Sequence, residues 1–379
     1  MSAETILSNA LVVTADEAFV GHVVVADGMI REVGRGATAV RGAIDLGGDW
    51  LLPGFVEVHT DNLEKHMMPR PGVLWDAYPA TVVHDAQCAG TGITTVLDAV
   101  VIGSRDLGGV RSQMQDTVID CLQRCRDDGV LWVEHLLHLR CELATADVIE
   151  KFTINVDRPD LKLVSVMDHT PGQRQWRDLA KYRQYMERNG RYSEERFNKM
   201  IAEQRLEHEA HADANRRVVV EAARARGIPV ASHDDTEVWH VEQARDDGIV
   251  MSEFPTTVEA ARAARAAGMS IVMGGPNLVR GGSHSGNVSA GELAALGLLD
   301  IVSSDYVPSS LLMSVVRLNA DGWTLPQAVE TVSRAPARAL GLDDRGAIAP
   351  GLRADLVHVR PRGEQAVVMQ TWVEGRRVA

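Results

Sequence analysis

His59 and Asp61 close the run FVEVHTD, which follows Pro53-Gly54. Residues two apart on an extended strand point to the same side, so this imidazole and carboxylate leave the strand end together, at the spacing divalent metals use. Alone, the triplet reads as easily as a solvated strand end. Seven further apolar runs end in the same manner: ITTVLDAV, VEHLLHLRCEL, KLVSVMDHTPG, IPVASHDD, GIVMSEFP, SIVMGGPN and DIVSSDY. At their ends stand Asp98, Glu142, Asp168, His169, His233, Asp234, Glu253, Asn277 and Asp305. Solvated loops do not concentrate imidazole and carboxylate in this way, so the set reads as one site.

His59, Asp61, Glu142, His169, His233 and Asp305 are the candidate ligands for one or two divalent cations, zinc in first place, with manganese, iron or magnesium as alternatives. Glu142 stands mid-set, where a carboxylate bridges two ions. Asp305, at the last strand, is placed to touch the metal and take the proton of the attacking water. VPSSLLMS follows it, so an N-cap is its plainer reading. His138 lies deeper on its strand and reads as a core histidine. His84 and His135, with Asp85, read as residues that orient ligands or are simply hydrogen-bonded in the interior. His208 and His211 read as surface residues, and His22, His240 and His358 have no supporting context.

A second chemistry follows the seventh run. In PNLVRGGSHSGN, residues 276–287, Gly281, Gly282, Ser283, His284 and Asn287 offer N–H, hydroxyl and amide donors to phosphate, and Arg280 adds a two-pronged fork. Lys65, His66 and Arg70 place positive charge on the same rim.

The elements that must hold these residues are legible too. Eight apolar runs alternate with helical patterns such as TVIDCLQRCRDDG and TVEAARAARAAG, which predicts a parallel (β/α)8 TIM barrel with its site at the C-terminal strand ends. Residues 5–50 read as short strands with a hairpin at Asp27-Gly28, and the last thirty-odd repeat that style around Glu374-Gly375. Both ends together predict a small β domain from 1–52 and 345–379, around a barrel spanning 53–344. The long connection at 172–227 reads as a helical lid over the mouth, or as a solvated helical hairpin.

At 379 residues and 45% apolar composition the chain can bury a large core. A net charge of −13 with 4% aromatics excludes nucleic acid and anionic membranes as principal partners. No apolar stretch is long enough to span a bilayer, and MSAETILSNA lacks the signature of a signal peptide, so a soluble cytoplasmic protein is expected, as a homodimer. Cys88, Cys121, Cys125 and Cys141 read as free thiols.

PGFVEVHTD, the split β domain and the closing GLRADLV with its VEG turn resemble the amidohydrolase superfamily, with metals at the mouth of a distorted (β/α)8 barrel and a small β-sandwich domain. LLPGFVEVHTDNLEKH, VHDAQCAGTGITTVLDAV, EHLLHLRCEL, SVMDHTPGQRQ, ASHDD, EFPTT, MGGPNLVRGGSHSGN and SSDYVPSSLL together resemble one family within it. That family is the α-D-ribose 1-methylphosphonate 5-triphosphate diphosphatases of the carbon–phosphorus lyase pathway. The resemblance implies a ribose triphosphate as the small-molecule substrate, hydrolysis at the α-phosphorus with pyrophosphate leaving, and the six ligands named above. For that reaction, Arg280 and the 281–287 loop are expected to hold the departing β,γ-phosphates, and Lys65 and Arg140 to contact the sugar-phosphate end. Asp61 stands where the superfamily commonly has a second histidine, and no lysine ends a strand to supply its carboxylated bridge. Two other functions fit the same residues: hydrolysis of an amide, as in a deacetylase, and a non-catalytic scaffold of the phosphonate-degrading machinery.

Overall fold

The computed structural model describes residues 4–70, 72–103, 110–187, 192–283 and 286–379, without the side chains of 110–113 and 116. The chain opens with β1 (Thr5–Val13) and β2 (Ala18–Ala26), an antiparallel pair whose register slips between Leu7 and Ala10, around Asn9 in left-handed backbone. Asp27 and Gly28, both at positive φ, turn β2 into β3 (Met29–Arg35), the two-residue geometry that suits the right-handed twist of a hairpin. β4 (Ile44–Asp45) and β5 (Trp50–Pro53) then run parallel to β1.

One residue after β5 the barrel begins. β6 (Phe55–Thr60), β7 (Ile93–Ile102), β8 (Glu134–Glu142), β9 (Leu161–Met167), β10 (Val230–His233), β11 (Met251–Glu253), β12 (Ser270–Gly274) and β13 (Ile301–Ser303) pair in chain order, all parallel. A parallel bridge between Thr60 and Asp305 brings the last strand back to the first. Each strand is one of the eight apolar runs, nearly continuous because both faces are covered. Val56, Val58, Leu97, Leu163, Met251 and Val272 fill the interior together with Ala337 and Leu340, from and just beyond the helix Arg334–Ala339. The segment leading into that helix meets the strand starts, with the amides of Val56 and Val302 donating to the carbonyls of Val332 and Thr331. That end is plugged, so the C-terminal ends form the accessible mouth.

The outer helices bury one stripe each. In Val258–Ala266 the stripe is Ala260, Ala261 and Ala264, and Thr257 caps the first turn by accepting from the Ala260 amide. The connection after β9 holds a 3₁₀ turn (Arg174–Trp176), a helix (Leu179–Met186) and the first half of a 32-residue helix (Glu194–Ala225). Trp176, Tyr182, Phe197 and Ile201 form a small core there, while Val219, Val220 and Ala223, in the second half of the long helix, pack on the barrel.

After the barrel, β14 (Leu356–Arg362) pairs antiparallel with β5 and with β15 (Gln365–Val373), and Glu374-Gly375, again both at positive φ, turns into β16 (Arg376–Arg377). Strands from both ends of the chain therefore form one mixed sheet, ordered β16-β15-β14-β5-β1-β2-β3 with β4 on β1. The result is a (β/α)8 barrel with a separate β domain assembled from the two ends. Among the described residues no helix is long and apolar enough to cross a membrane.

Candidate active site

At the mouth, three residues just beyond strand ends adopt left-handed backbone: Asp234 (φ 56°), Phe254 (φ 55°) and Asp305 (φ 54°). Such a conformation costs a non-glycine residue roughly 1–2 kcal/mol. Each is tied sideways by its own amide, Asp234 to the Glu253 carbonyl (2.9 Å), Phe254 to Val272 (2.9 Å) and Asp305 to His59 (3.1 Å). The turns leave Glu253, His233 and His59 facing one another.

Glu253 lies at the centre, wholly buried, with one oxygen 3.0 Å from Nδ1 of His59 and the other 3.3 Å from Nδ1 of His233. An ionised carboxylate only accepts, so both rings carry a proton on Nδ1 and turn Nε2 to the opposite side. His59 Nε2 is 3.9 Å from Asp61 Oδ1, and Asp305 completes that group. His233 Nε2 is 3.5 Å from Asp234 Oδ2, which also lies 3.8 Å from His169 Nε2. The His59 and His233 rings stack with centroids 5.8 Å apart, so the two groups are neighbours. Glu142, expected as a bridge, lies behind His169: Oε2 is 2.6 Å from His169 Nδ1, and Oε1 accepts the His169 amide at 3.0 Å.

In each group the ligand atoms lie within 4.8 Å of one another, and imidazole nitrogen with carboxylate oxygen is the donor chemistry of a divalent cation. The residues present therefore fit a metal.

The electrostatics follow from burial and these contacts. Burial opposes charge on His59, but the Glu253 carboxylate outweighs it and holds the ring above its ordinary value. Glu142 does the same for His169. Burial prevails at His233, which is lowered. Burial, with Asp61 adding its charge, pushes Asp305 up to about 6. Arg140 is buried and donates to Asp61 Oδ1 at 2.7 Å. Lys65 donates to the Tyr306 carbonyl and sits 4.6 Å over that ring; burial lowers it, against the pull of Asp305 and Asp61.

The loop after β12 differs from a plain row of outward donors. Residues Gly275–Arg280 form a short helix with proline in its first turn, and Gly281 ends it in left-handed backbone (φ 78°). The amides of Gly281 and Gly282 donate to Leu278 (3.3 Å) and Asn277 (3.0 Å), so they cap the helix rather than face a ligand. Asn277 is engaged with Val288 and Ala290. Arg280 is exposed at the end of the helix, Ser283 and Asn287 lie in the loop beyond it, and His284 is outside the described residues.

Several residues read differently in three dimensions. His208 is no plain surface residue: it is half-buried and its Nδ1 meets Asp168, which also accepts from Gln173. His240 is buried and takes part in capping the helix Val238–Asp246, and His358 meets Asp49 at 2.9 Å. His138 is a core histidine between the Val58 carbonyl (3.0 Å) and Ser165, pushed by burial to about 3. His84, Asp98, His135 and Asp85 form a buried chain, with contacts of 2.9, 2.7 and 3.2 Å in that order, continued by Asn62 at one end and the Trp132 amide at the other. Glu57, unremarked in FVEVHTD, is buried where it accepts the amides of His59 and Ser304, and burial raises it to about 7.

The sequence profile of the Amidohydrolase family matches residues 192–379. Alpha-D-ribose 1-methylphosphonate 5-triphosphate diphosphatase of Escherichia coli (strain K12) is 45% identical over 378 residues, 98% of this chain and 100% of that protein. Among solved structures, an amidohydrolase superposes with a TM-score of 0.65 at 15% identity, over 99% of each chain. A D-hydantoinase does so at 0.64 and 14%, over 99% of this chain and 95% of its own. The two structures share the fold, while the Escherichia coli relative fixes the kinship more narrowly: the chain belongs to the amidohydrolases and, among them, to the family of the alpha-D-ribose 1-methylphosphonate 5-triphosphate diphosphatases.

Proposed function

We propose that the protein hydrolyses alpha-D-ribose 1-methylphosphonate 5-triphosphate to the 5-phosphate and pyrophosphate, the reaction implied by the name of its Escherichia coli relative. The observation that supports metal-dependent chemistry is Glu253 holding His59 and His233 by Nδ1, so that two adjacent donor groups open on the mouth. His59, Asp61 and Asp305 would hold one cation, and His169, His233 and Asp234 a second, with Glu142 and Glu253 orienting imidazoles behind them. A bound divalent cation acidifies water and neutralises charge on phosphoryl oxygens.

The protein's own groups do the rest. Asp305, at the end of the last strand beside Asp61 and His59, is suited to accept the proton of the attacking water. Lys65 and Arg140 bring positive charge to the sugar-phosphate end, and Arg280, with Ser283, His284 and Asn287, meets the departing phosphates. Zinc, a cytoplasmic location, a homodimer and the division of the chain near 52 and 345 belong to the same reading. The test is elemental analysis of purified protein beside phosphorus NMR of the ribose triphosphate incubated with it. Pyrophosphate released in step with metal content supports the reading, and intact triphosphate over a metal-loaded protein overturns it.

A further inference from the structure

Beside Asp61 a narrow cavity runs between the mouth ends of β6 and β7 and the helix Val110–Asp127. Leu63, Val100, Met114 and Val118 give it apolar walls, and Thr60, Asp61, Glu64, Asp98 and Gln115 are the polar residues that line it. Gln115 is only 4% exposed, yet its Oε1 finds no hydrogen-bond partner among the described residues. A buried acceptor left unpaired is costly, and such an atom marks a place for a donor to arrive.

The chemistry of the occupant follows from what lines the cavity. The unpaired amide oxygen and the Glu64 carboxylate are acceptors, while Asp98 is held by His84 and His135, so the occupant brings donors. Asp61 is matched by Arg140, but the Glu64 carboxylate repels an anion, so it is no phosphate or phosphonate group. Apolar walls suit carbon-bound hydrogens. A hydroxyl-bearing edge of a sugar has all three properties. We propose that this cavity receives the hydroxyl edge of the ribose, with a ring hydroxyl donating to Gln115 Oε1, which makes Gln115 a substrate-binding group that selects for the hydroxylated sugar. The inference rests on the ribosyl triphosphate reading above, and adds a site for the neutral part of that substrate.

The test compares wild type with Gln115→Met, which keeps the volume and removes the acceptor, and with Gln115→Leu. Circular dichroism and Tm establish that both variants fold. In the first arm kcat/KM is measured for the ribosyl triphosphate and its 2-deoxy and 3-deoxy analogues. Wild type is expected to disfavour one deoxy analogue by about tenfold or more, and both variants to lose that discrimination while kcat on the parent substrate stays within a few-fold. Variants that discriminate as wild type does would overturn the assignment. The second arm needs no turnover: titration calorimetry with ribose 5-phosphate should show about tenfold weaker binding to the variants. Equal affinity, or no binding to wild type, would overturn it as well. A wild type that cleaves no triphosphate defeats the functional reading alone, and the calorimetric arm still decides the site.

Discussion

The amide of Asp305 donates to the carbonyl of His59 at 3.1 Å, and the amide of Asp61 returns the contact to the Asp305 carbonyl at 2.8 Å. The first and last barrel strands are stitched together at the residues whose side chains make up one donor group. Because both of these bonds run between backbone groups, and the side chains that reinforce them come from Glu57, Thr60 and Ser303, a side-chain change at 305 leaves the stitch in place.

Asp305→Asn should therefore fold and close as the wild type does. If the carboxylate takes the proton of the water, kcat falls by roughly 10²–10⁴ while metal content changes little. Steady-state kinetics with elemental analysis on the same preparation check this. Lost metal, with activity rescued by excess metal, would make Asp305 a ligand only and leave proton transfer to a neighbour.

Glu253 fixes two imidazoles at once. Glu253→Gln keeps the shape but presents an amide where both rings expect an acceptor, and one ring must turn or change tautomer. We expect metal affinity and activity to fall by about 10–100-fold together. Competition with a chelator of known affinity measures the first, and an unchanged affinity would remove Glu253 from the centre.

Arg280 stands exposed at the end of its helix, free to meet a triphosphate with two parallel N–H groups. Arg280→Lys preserves charge and loses the fork, so KM for the triphosphate should rise with kcat little changed. Identical KM and kcat would place Arg280 outside the site.

Stability should carry a pH signature from the interior. Burial opposes the charged form of His135, but Asp98 and Asp85 outweigh it and raise the ring to about 9. The folded state then binds more protons than the unfolded one between the unfolded value of about 6.5 and about 9. The contribution is complete below the lower figure and disappears as pH rises through the upper. Urea midpoints from pH 6 to 9.5 should fall more steeply for wild type than for His135→Gln, and parallel curves would rule the network out as the source.

Much of this was legible in the chain because it is local. Every apolar run became a strand, and Asp27-Gly28 and Glu374-Gly375 turn as such pairs do. What escaped depends on closure. Glu253 meets His59 across 194 positions, a distance no periodicity reports, although its place at a strand end marked it as available. His208 meets Asp168 only because a long helix carries it there. The glycines at 281 and 282 misled for a local reason: Pro276 in a first turn and Gly281 past a last one signal a short capped helix, whose carbonyls claim the amides first.

β5, finished by residue 53, lies between β1 and β14, and β14 begins at residue 356. On the ribosome, the earliest strands are thus exposed with one edge open while some three hundred residues are still to be made. Chain synthesis sets the pace of that sheet. The barrel can gather its candidate metal ligands in order of emergence, but the β domain that holds its first strands is among the last parts of the protein to be completed.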